Sequence, residues 1–511
     1  MSSPIKISEE NNHKQHSVRL NVHTWSDHPE VNLLVTKIWD ALGDERQSKL
    51  TSKSNRKGTP PKTILKVLLV HLYATWLDDP TLWTGMSRNR NDYAPNSIYN
   101  ALFIPFKIVG ITDCLVELEY LDFVIGSNDR TYDGWYSFCS RIRPTHSLES
   151  LFKKCTASLF DINEHKDEIP VILTEFDVDI SGNLTKRRGK KLRKKIEYEQ
   201  TLFTQAMING LNRYNELLAK TYIDIPTLDK PFVIRETKKD LQRLAINQHG
   251  KFVRRIFSRG ALHYNGRFYG GWWQQIEEDY RKYILIDDKP TVAIHKGKSF
   301  NGYEIKAQSK NQHVTEELTK VVKQLVLTAL NAGSKKQAFK AFRKNYPTKF
   351  KDKQLEALLH QFVNLNPHLE EDLCTDKGIS LMNVDSMIAA YVINKFAEQN
   401  IPILTVHDSF IVQTDQQKTL KKYMEEATLE VVGTRIEFEQ DYVSLNAKEA
   451  GKLNVIKVKN SSSLMGDREE VEITQRYLTT YKKFKLWKES NKIRSSSENV
   501  ATFHLNLQLN Y

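Results

Sequence analysis

The stretch IPILTVHDSFIV, Ile401 to Val412, decides how this chain is read. Six of its residues are Ile, Leu or Val and Thr405 also favours a strand, so the composition is that of a core strand rather than a surface loop. Within that apolar run stand His407 and Asp408. A carboxylate is costly to bury without a partner. In one reading the strand ends at His407 and the chain turns at Asp408-Ser409. In the other, Asp408 sits at a hairpin tip and is held against a cation such as a metal ion.

The rest of the composition narrows the class of protein. A chain of 511 residues is long enough for two to four domains, and 40% hydrophobic with 27% charged residues is ordinary for a globular protein. No apolar run approaches the length that spans a bilayer, so no membrane partner is expected. The N-terminus MSSPIKISEENNHKQHS lacks the apolar centre of a signal peptide. Cys114, Cys139, Cys155 and Cys374 are widely spaced, without a CxxC pair or a zinc pattern. A reduced, cytoplasmic protein is the expectation. The net charge of +13 points to a polyanionic partner, most often nucleic acid.

In the N-terminal half, helical periodicity begins near VNLLVTKIWDAL and returns at Lys62 to Leu77. A short helix is expected at Ser97 to Phe103 and a second from Lys107 to about Tyr120. Two strands, DFVIG and FCSRIRPT, follow around the polar loop Ser127 to Tyr136. Helix, turn, helix and hairpin is the order of a winged helix, in which the second helix enters the major groove and the hairpin meets the backbone. The second helix carries Asp113, Glu117 and Glu119, so cations for phosphate contacts must come from elsewhere, Arg141 and Arg143 among them. Further on, eight of the ten residues from Lys186 to Lys195 are Lys or Arg, a solvated block with phosphate attraction but no sequence readout. Glu175, Asp177 and Asp179 share one face of the preceding strand and read as solvent-facing charge.

Four further segments follow. KFVRRIFSRGALHYNGRFYGGWWQQI, Lys251 to Ile276, mixes Arg254, Arg255, Arg259 and Arg267 with Phe268, Tyr269, Trp272 and Trp273. Arginine and aromatic planes suit phosphates and bases, and Gly270-Gly271 lets the backbone approach something closely. The alternative is a glycine turn with aromatics covering a core edge. KYILIDDKPTVAIHKGKSFNGYEIKAQ reads as a hairpin around Asp287-Asp288-Lys289. A helix runs from Thr315, with Thr319 and Lys323 on one face, and its regular pattern ends at Asn331. DSMIAAYVINKFAEQ is another helix, leading into the strand that ends in VHDSF.

VHDSF resembles motif C of the single-subunit RNA polymerases of phages and mitochondria, which share a palm with the family A DNA polymerases. HYNGRFY is similar to their DxxGR motif, and TKVVKQLVLTALNA matches the spacing of their fingers helix. GGRFYGGWWQ-like and HDSFIV motifs also resemble uncharacterised phage and bacterial proteins, over roughly residues 60 to 435. The resemblance implies a site that holds a divalent metal, Mg²⁺ or Mn²⁺, on Asp408, with His407 beside the primer end and Lys323 on the triphosphate. It implies nucleic-acid contacts through Gly266 and Arg267, with Arg254 and Arg255 beside them, and nucleotide contacts through Lys323 and Asn331. The pattern breaks at the first carboxylate, where this chain has His295 as the metal-ligand position; a shifted alignment places Ser299 there, with Glu304 downstream. The fingers Arg position holds Thr319, the Tyr position Asn331, and the first residue of DxxGR is His263. Neutral imidazole supports Mg²⁺ poorly and prefers softer ions.

The expected fold is α+β. A flexible N-terminus (1–30) precedes a helical, winged-helix-like module (31–155) and a helical linker with the basic run (156–250). A polymerase-like palm and fingers with a small antiparallel sheet (251–440) and a C-terminal extension (441–511) follow. In that sheet the strand ending at His407 should pair with RIEFEQ or FIVQ, beside Val292 to His295. The expected function is template-directed nucleotidyl transfer, RNA slightly favoured over DNA, with a nucleic-acid template and nucleoside triphosphates as partners. The alternative is a catalytically inactive, polymerase-derived nucleic-acid-binding protein, such as a mobile-element replication initiator.

Overall fold

The structure is a computed structural model. It describes residues 17–51, 59–93, 97–126, 128–131, 134–137, 139–178, 184–187, 190–236, 241–296, 312–345, 350–407, 409–436, 438–446, 455–460 and 468–508. The architecture is mixed α+β, with helices packed on several small sheets. Among the described residues no helix is long and apolar enough to cross a membrane. Buried apolar side chains gather in three clusters.

The first cluster holds helices α1 (Pro29–Ala41), α2 (Gly43–Thr51), α3 (Pro61–Asp78), α4 (Lys107–Glu117) and α5 (His146–Phe152). Every residue of α3 from Ile64 to Thr75 is buried. A helix apolar on all sides must be covered on all sides, and α1, α4 and a four-stranded sheet do this. The strand order is Ser17–Arg19, Trp83–Met86, Ser140–Pro144, Leu121–Val124. The helix expected at Ser97 to Phe103 does not form. Asn100 bonds both the N–H (2.9 Å) and the carbonyl (3.0 Å) of Ile104, and Phe103 takes a φ of 49°. Such side-chain bonds offer the backbone an alternative to the helical ladder. α4 stops at Glu117, short of Tyr120, because Glu119 turns left-handed (φ 58°) into the next strand.

The second cluster surrounds a six-stranded antiparallel sheet. Its order is Ile403–Val406, Ser409–Gln413, Thr291–Lys296, Phe438–Asn446, Val455–Asn460, Arg468–Glu472. Helices α6 (Leu202–Ala219), the short α7 (Glu278–Arg281), α11 (Gly378–Glu398), α12 (Gln417–Val432) and α13 (Gln475–Gln508) lie around it, after α8 (Gln312–Leu330), α9 (Lys335–Asn345) and α10 (Asp352–Leu365), which enclose the third cluster. The hairpin expected around Asp287 to Lys289 is only a turn. Asp287 and Asp288 both take positive φ (49° and 64°), and the strands on either side part into different sheets. Leu285–Ile286 pairs with Ile223–Asp224, and Asp287 Oδ1 accepts from the Tyr222 N–H at 2.9 Å.

The segment expected as a C-terminal extension is part of this core. It adds two strands to the sheet and the 34-residue α13. Arg476 makes two bonds to the buried carboxylate of Asp224 (2.8 and 2.9 Å) and donates to the carbonyls of Ile225 and Leu228. Burial raises the Asp224 carboxyl, and the guanidinium opposes that shift. Tyr477, Tyr481, Phe484 and Trp487 stack along α13 against Tyr222 and Phe160.

His71, inside α3, makes the N-terminal cluster sensitive to acid. Burial, with His249 nearby, pulls its pKa down to about 3 from an ordinary 6.5. The unfolded chain therefore binds a proton between those values that the folded chain does not, and stability falls as pH drops from about 6.5 toward 3. We expect thermal melts to show this loss in the wild type and a flatter profile in His71→Leu. Equal slopes in the two proteins would refute the assignment.

Candidate active site

Four buried residues, Ile403 to Val406, lead into the turn that the sequence marks out. The strand pairs with Ser409–Gln413, the FIVQ segment, and the pair Val406↔Ser409 leaves two residues between them, His407 and Asp408. His407 is exposed with a φ of 54°, the left-handed conformation that two-residue hairpin turns require. Asp408, assigned above to catalysis and metal, lies outside the described residues, as do Ser299 and Glu304.

Thr291–Lys296 lies one strand further in, beside Ser409–Gln413, with His295 opposite Ser409. On its other side runs Phe438–Asn446, with His295 opposite Glu439. Partners in a ladder share a face, so Ser409, His295 and Glu439 form a row, spaced by about 4.8 Å per strand. His295 Nε2 is 3.3 Å from Glu439 Oε2, with the His side chain 16% exposed and the Glu 45%. Glu439 was not singled out in the sequence. Nothing in RIEFEQ marks it; the register alone brings it to His295. Among the described residues no group of three or more His, Cys, Asp or Glu side chains is placed to hold a metal ion. His295 and Glu439 bring one imidazole and one carboxylate together. Imidazole with carboxylate suits Mn²⁺ better than Mg²⁺.

The segment Lys251 to Ile276 is used mainly by the protein itself. The strands Arg254–Ser258 and Ala261–Tyr269 form a hairpin, with α11 packed across the second. Arg254 holds Glu168 (2.6 and 2.9 Å) and lies 3.6 Å from Glu164. Arg255 is buried, donating to the Gly266 carbonyl (2.9 Å) and Ser386 Oγ (3.0 Å) beside the rings of Phe257 and Phe268. Burial pulls its pKa down to about 10. Gly266 has a φ of 80°, and a Cβ there would meet Phe257 at 2.7 Å, Ser386 at 2.8 Å and Asn383 at 3.0 Å. Arg267 is 30% exposed and 3.9 Å from Asp385. Gly270 and Gly271 let the chain close on itself: a Cβ would sit 2.2 Å from the Phe252 carbonyl oxygen or from the Trp273 ring. The alternative stated above, aromatics covering a core edge, describes Trp272 and Trp273, both buried. Trp273 Nε1 (3.0 Å) and Gln274 Nε2 (2.9 Å) both donate to the Thr405 carbonyl, two residues before His407.

Lys323 is half-buried on α8, in the third cluster rather than on the sheet. Asn331 donates to the Leu327 carbonyl (2.8 Å), and its side chain leaves no room for a Cβ at Gly378, where α11 begins. Arg141 is buried in the N-terminal sheet. Arg143 pairs with Asp122 (3.1 Å) and lies over the Trp83 ring, and Arg88 takes Asp113 of α4 in a two-bond pair (2.7 and 2.9 Å).

No family model matches this chain, and no curated protein matches it. Among solved structures it is similar to the POL domain of Pol1 from M. smegmatis in complex with DNA primer-template and dNTP. The identity is 10%, the TM-score 0.26, and the match covers 83% of this chain and 67% of that one. A likeness of that size does not establish a shared fold.

Gly266→Ala tests how the site's frame is held. The added methyl meets packed side chains on three sides at a left-handed φ. We expect a loss of roughly 2–4 kcal/mol from strain and overpacking together, read as a lower melting temperature. An unchanged melt with weakened nucleic-acid binding would instead make Gly266 a contact residue.

Proposed function

We propose that this protein binds nucleic acid and carries out template-directed nucleotidyl transfer from a polymerase-like palm, with RNA the favoured product. One observation carries the reading. The strand bearing His295 lies between Ser409, at the end of the His407-Asp408 turn, and Glu439. That row brings the carboxylate of Glu439 within 3.3 Å of His295, the residue that stands where motif A of the resembling polymerases has its Asp.

In this reading Asp408, Glu439 and His295 would hold divalent metal. Bound there, the metal would supply the positive charge that favours an attacking 3′ hydroxyl as its alkoxide and a departing pyrophosphate. The protein's own part is to orient. His407 lies at the tip beside the primer end. Lys323 neutralises the triphosphate from the fingers helix, with Asn331 at the end of the same helix. Arg267 contacts the template or hybrid backbone. Arg254, Arg255 and Gly266 keep the hairpin and α11 in register rather than meeting nucleic acid. The N-terminal module, in which α4 and the paired strands Leu121–Val124 and Ser140–Pro144 form without the first helix that a winged helix requires, lies against duplex DNA.

A second reading is supported by the His295–Glu439 contact itself. A carboxylate engaged by its neighbour is less available to a metal, which would leave a binding protein without chemistry, such as a replication initiator of a mobile element. Primer extension and unprimed synthesis on a DNA template, with Mg²⁺ and with Mn²⁺, separate the two. We expect wild-type activity to be greater with Mn²⁺, and Asp408→Ala to abolish it. Glu439→Gln should lower it at least a hundredfold, about 3 kcal/mol. His295→Asp should shift the preference toward Mg²⁺. Lys323→Ala should raise KM for the nucleotide as well as slow turnover. A wild type that is silent with both metals yet binds template leaves the second reading standing alone.

A further inference from the structure

The basic run Lys186 to Lys195 has no role in the site described above. Its backbone forms a short ribbon: Lys186–Arg187 pairs antiparallel with Lys190–Lys191. Both register pairs set cation against cation, Lys186↔Lys191 and Arg187↔Lys190. Like charges directly opposite one another destabilise a ladder. The neighbouring strand shows the contrast. Arg193–Ile196 lies against Val171–Phe176 with Lys194 opposite Glu175, at 3.1 Å, and Arg193 opposite Phe176, over its ring.

Cations outnumber carboxylates in the ribbon's own segment. From Glu175 to Lys195 there are eight Lys or Arg residues against three carboxylates. The segment adds little to the core, where Ile196 and Tyr198 pack half-buried. None of the described side chains from Thr174 to Phe203 is buried, and Val178 and Leu184, which bridge at the ribbon's base, are 45% and 36% exposed. The base is nevertheless well anchored. Thr185 N–H donates to the Asp177 carbonyl (2.9 Å), Leu192 N–H to Thr185 (2.9 Å) and Asp177 N–H to Leu192 (3.0 Å). A few charges suffice to keep an edge strand from pairing with another chain. A rooted ribbon with repulsive pairs on both registers is more than that need.

Its position indicates which polyanion fits. Arg193–Ile196 is the edge strand of its four-stranded sheet, and among the described residues no further strand covers that side. The Ile196 carbonyl accepts from Tyr99 Oη (2.7 Å), and Glu197 accepts from the Ile98 N–H (3.1 Å). Tyr99 belongs to the turns that lead into α4, and Lys195 lies over its ring. The ribbon is thereby tied to the N-terminal module. A two-stranded ribbon also has the width of a duplex groove.

We propose that the ribbon Lys186–Arg187/Lys190–Lys191, with the edge strand Arg193–Ile196, is a phosphate clamp for double-stranded nucleic acid. It extends the footprint of the N-terminal module along the same duplex, without reading sequence. The duplex relieves the cation–cation pairs by placing phosphates on both sides of the ribbon. The inference rests on the nucleic-acid reading above but not on catalysis.

The test uses the full chain and a labelled duplex of about 30 base pairs, with affinity measured across a potassium chloride series. In the variant Lys186→Ala, Arg187→Ala, Lys190→Ala, Lys191→Ala, the slope of log affinity against log salt should fall by about 2 to 4, near 0.9 for each phosphate no longer neutralised. Lys186→Arg, Lys190→Arg and Lys191→Arg together should leave it unchanged. The melting temperature should not fall, since the substitutions remove like charges set opposite one another in the ladder. An unchanged slope in the alanine variant, with a wild type that binds, overturns the clamp and leaves the nucleic-acid reading intact. A wild type that binds no nucleic acid overturns both. A larger loss on a single strand of equal length overturns the assignment to duplex.

Discussion

The carbonyl of Thr405 receives two hydrogen bonds, from the Trp273 indole and the Gln274 amide, and the geometry of the candidate site follows from them. A buried strand carbonyl has two lone pairs, and a strand at the margin of a sheet has a neighbour on only one side. Here Ile403–Val406 is that strand. The two donors tie it to the segment after Tyr269 and fix the approach to the His407 turn. They reach it only because Gly270 and Gly271 carry no side chain: a Cβ at either would fall within 2.2 Å of its neighbours. A bulky indole, two glycines and a short strand thus form one mechanical unit.

The arginines of the same region have a matching role. Arg255 links the Ala261–Tyr269 strand to Ser386 of α11, and Arg254 ties its own strand to Glu168. Desolvating a guanidinium is costly unless its donors are satisfied. Both guanidinium groups meet carbonyl, hydroxyl or carboxylate oxygens. On the opposite side of the core, Asp224 and Arg476 join the C-terminal helix to the body by the same device, a buried pair with additional hydrogen bonds. Tertiary contacts of this kind hold the sheet, α11 and α13 together and leave the hairpin tip exposed.

Much of the candidate site was legible in the chain itself. The apolar run interrupted by His407 and Asp408 announced a hairpin, and the pairing of Ile403–Val406 with FIVQ agrees with that reading. The strand with His295 was legible for the same reason: alternation and β-branched residues are local properties. The departures have local causes too. Asn100 diverted a helical pattern into turns, and two left-handed aspartates sent the strands beside Asp287 and Asp288 to different sheets.

What the sequence by itself determined was an inventory: the strands that lead to His407 and to His295, where cations cluster, and that a His and an Asp interrupt a core strand. Only the tertiary structure decided which neighbours these acquire. Glu439 lies opposite His295 because a third strand joins the sheet in that register, and a shift of one residue would have turned it to the other face. Arg254 and Arg255 face inward because Glu168 and Ser386 lie where their guanidinium groups end. Residue type states what a side chain can bind. The partner is set by contacts between residues far apart along the chain, which composition and periodicity do not encode.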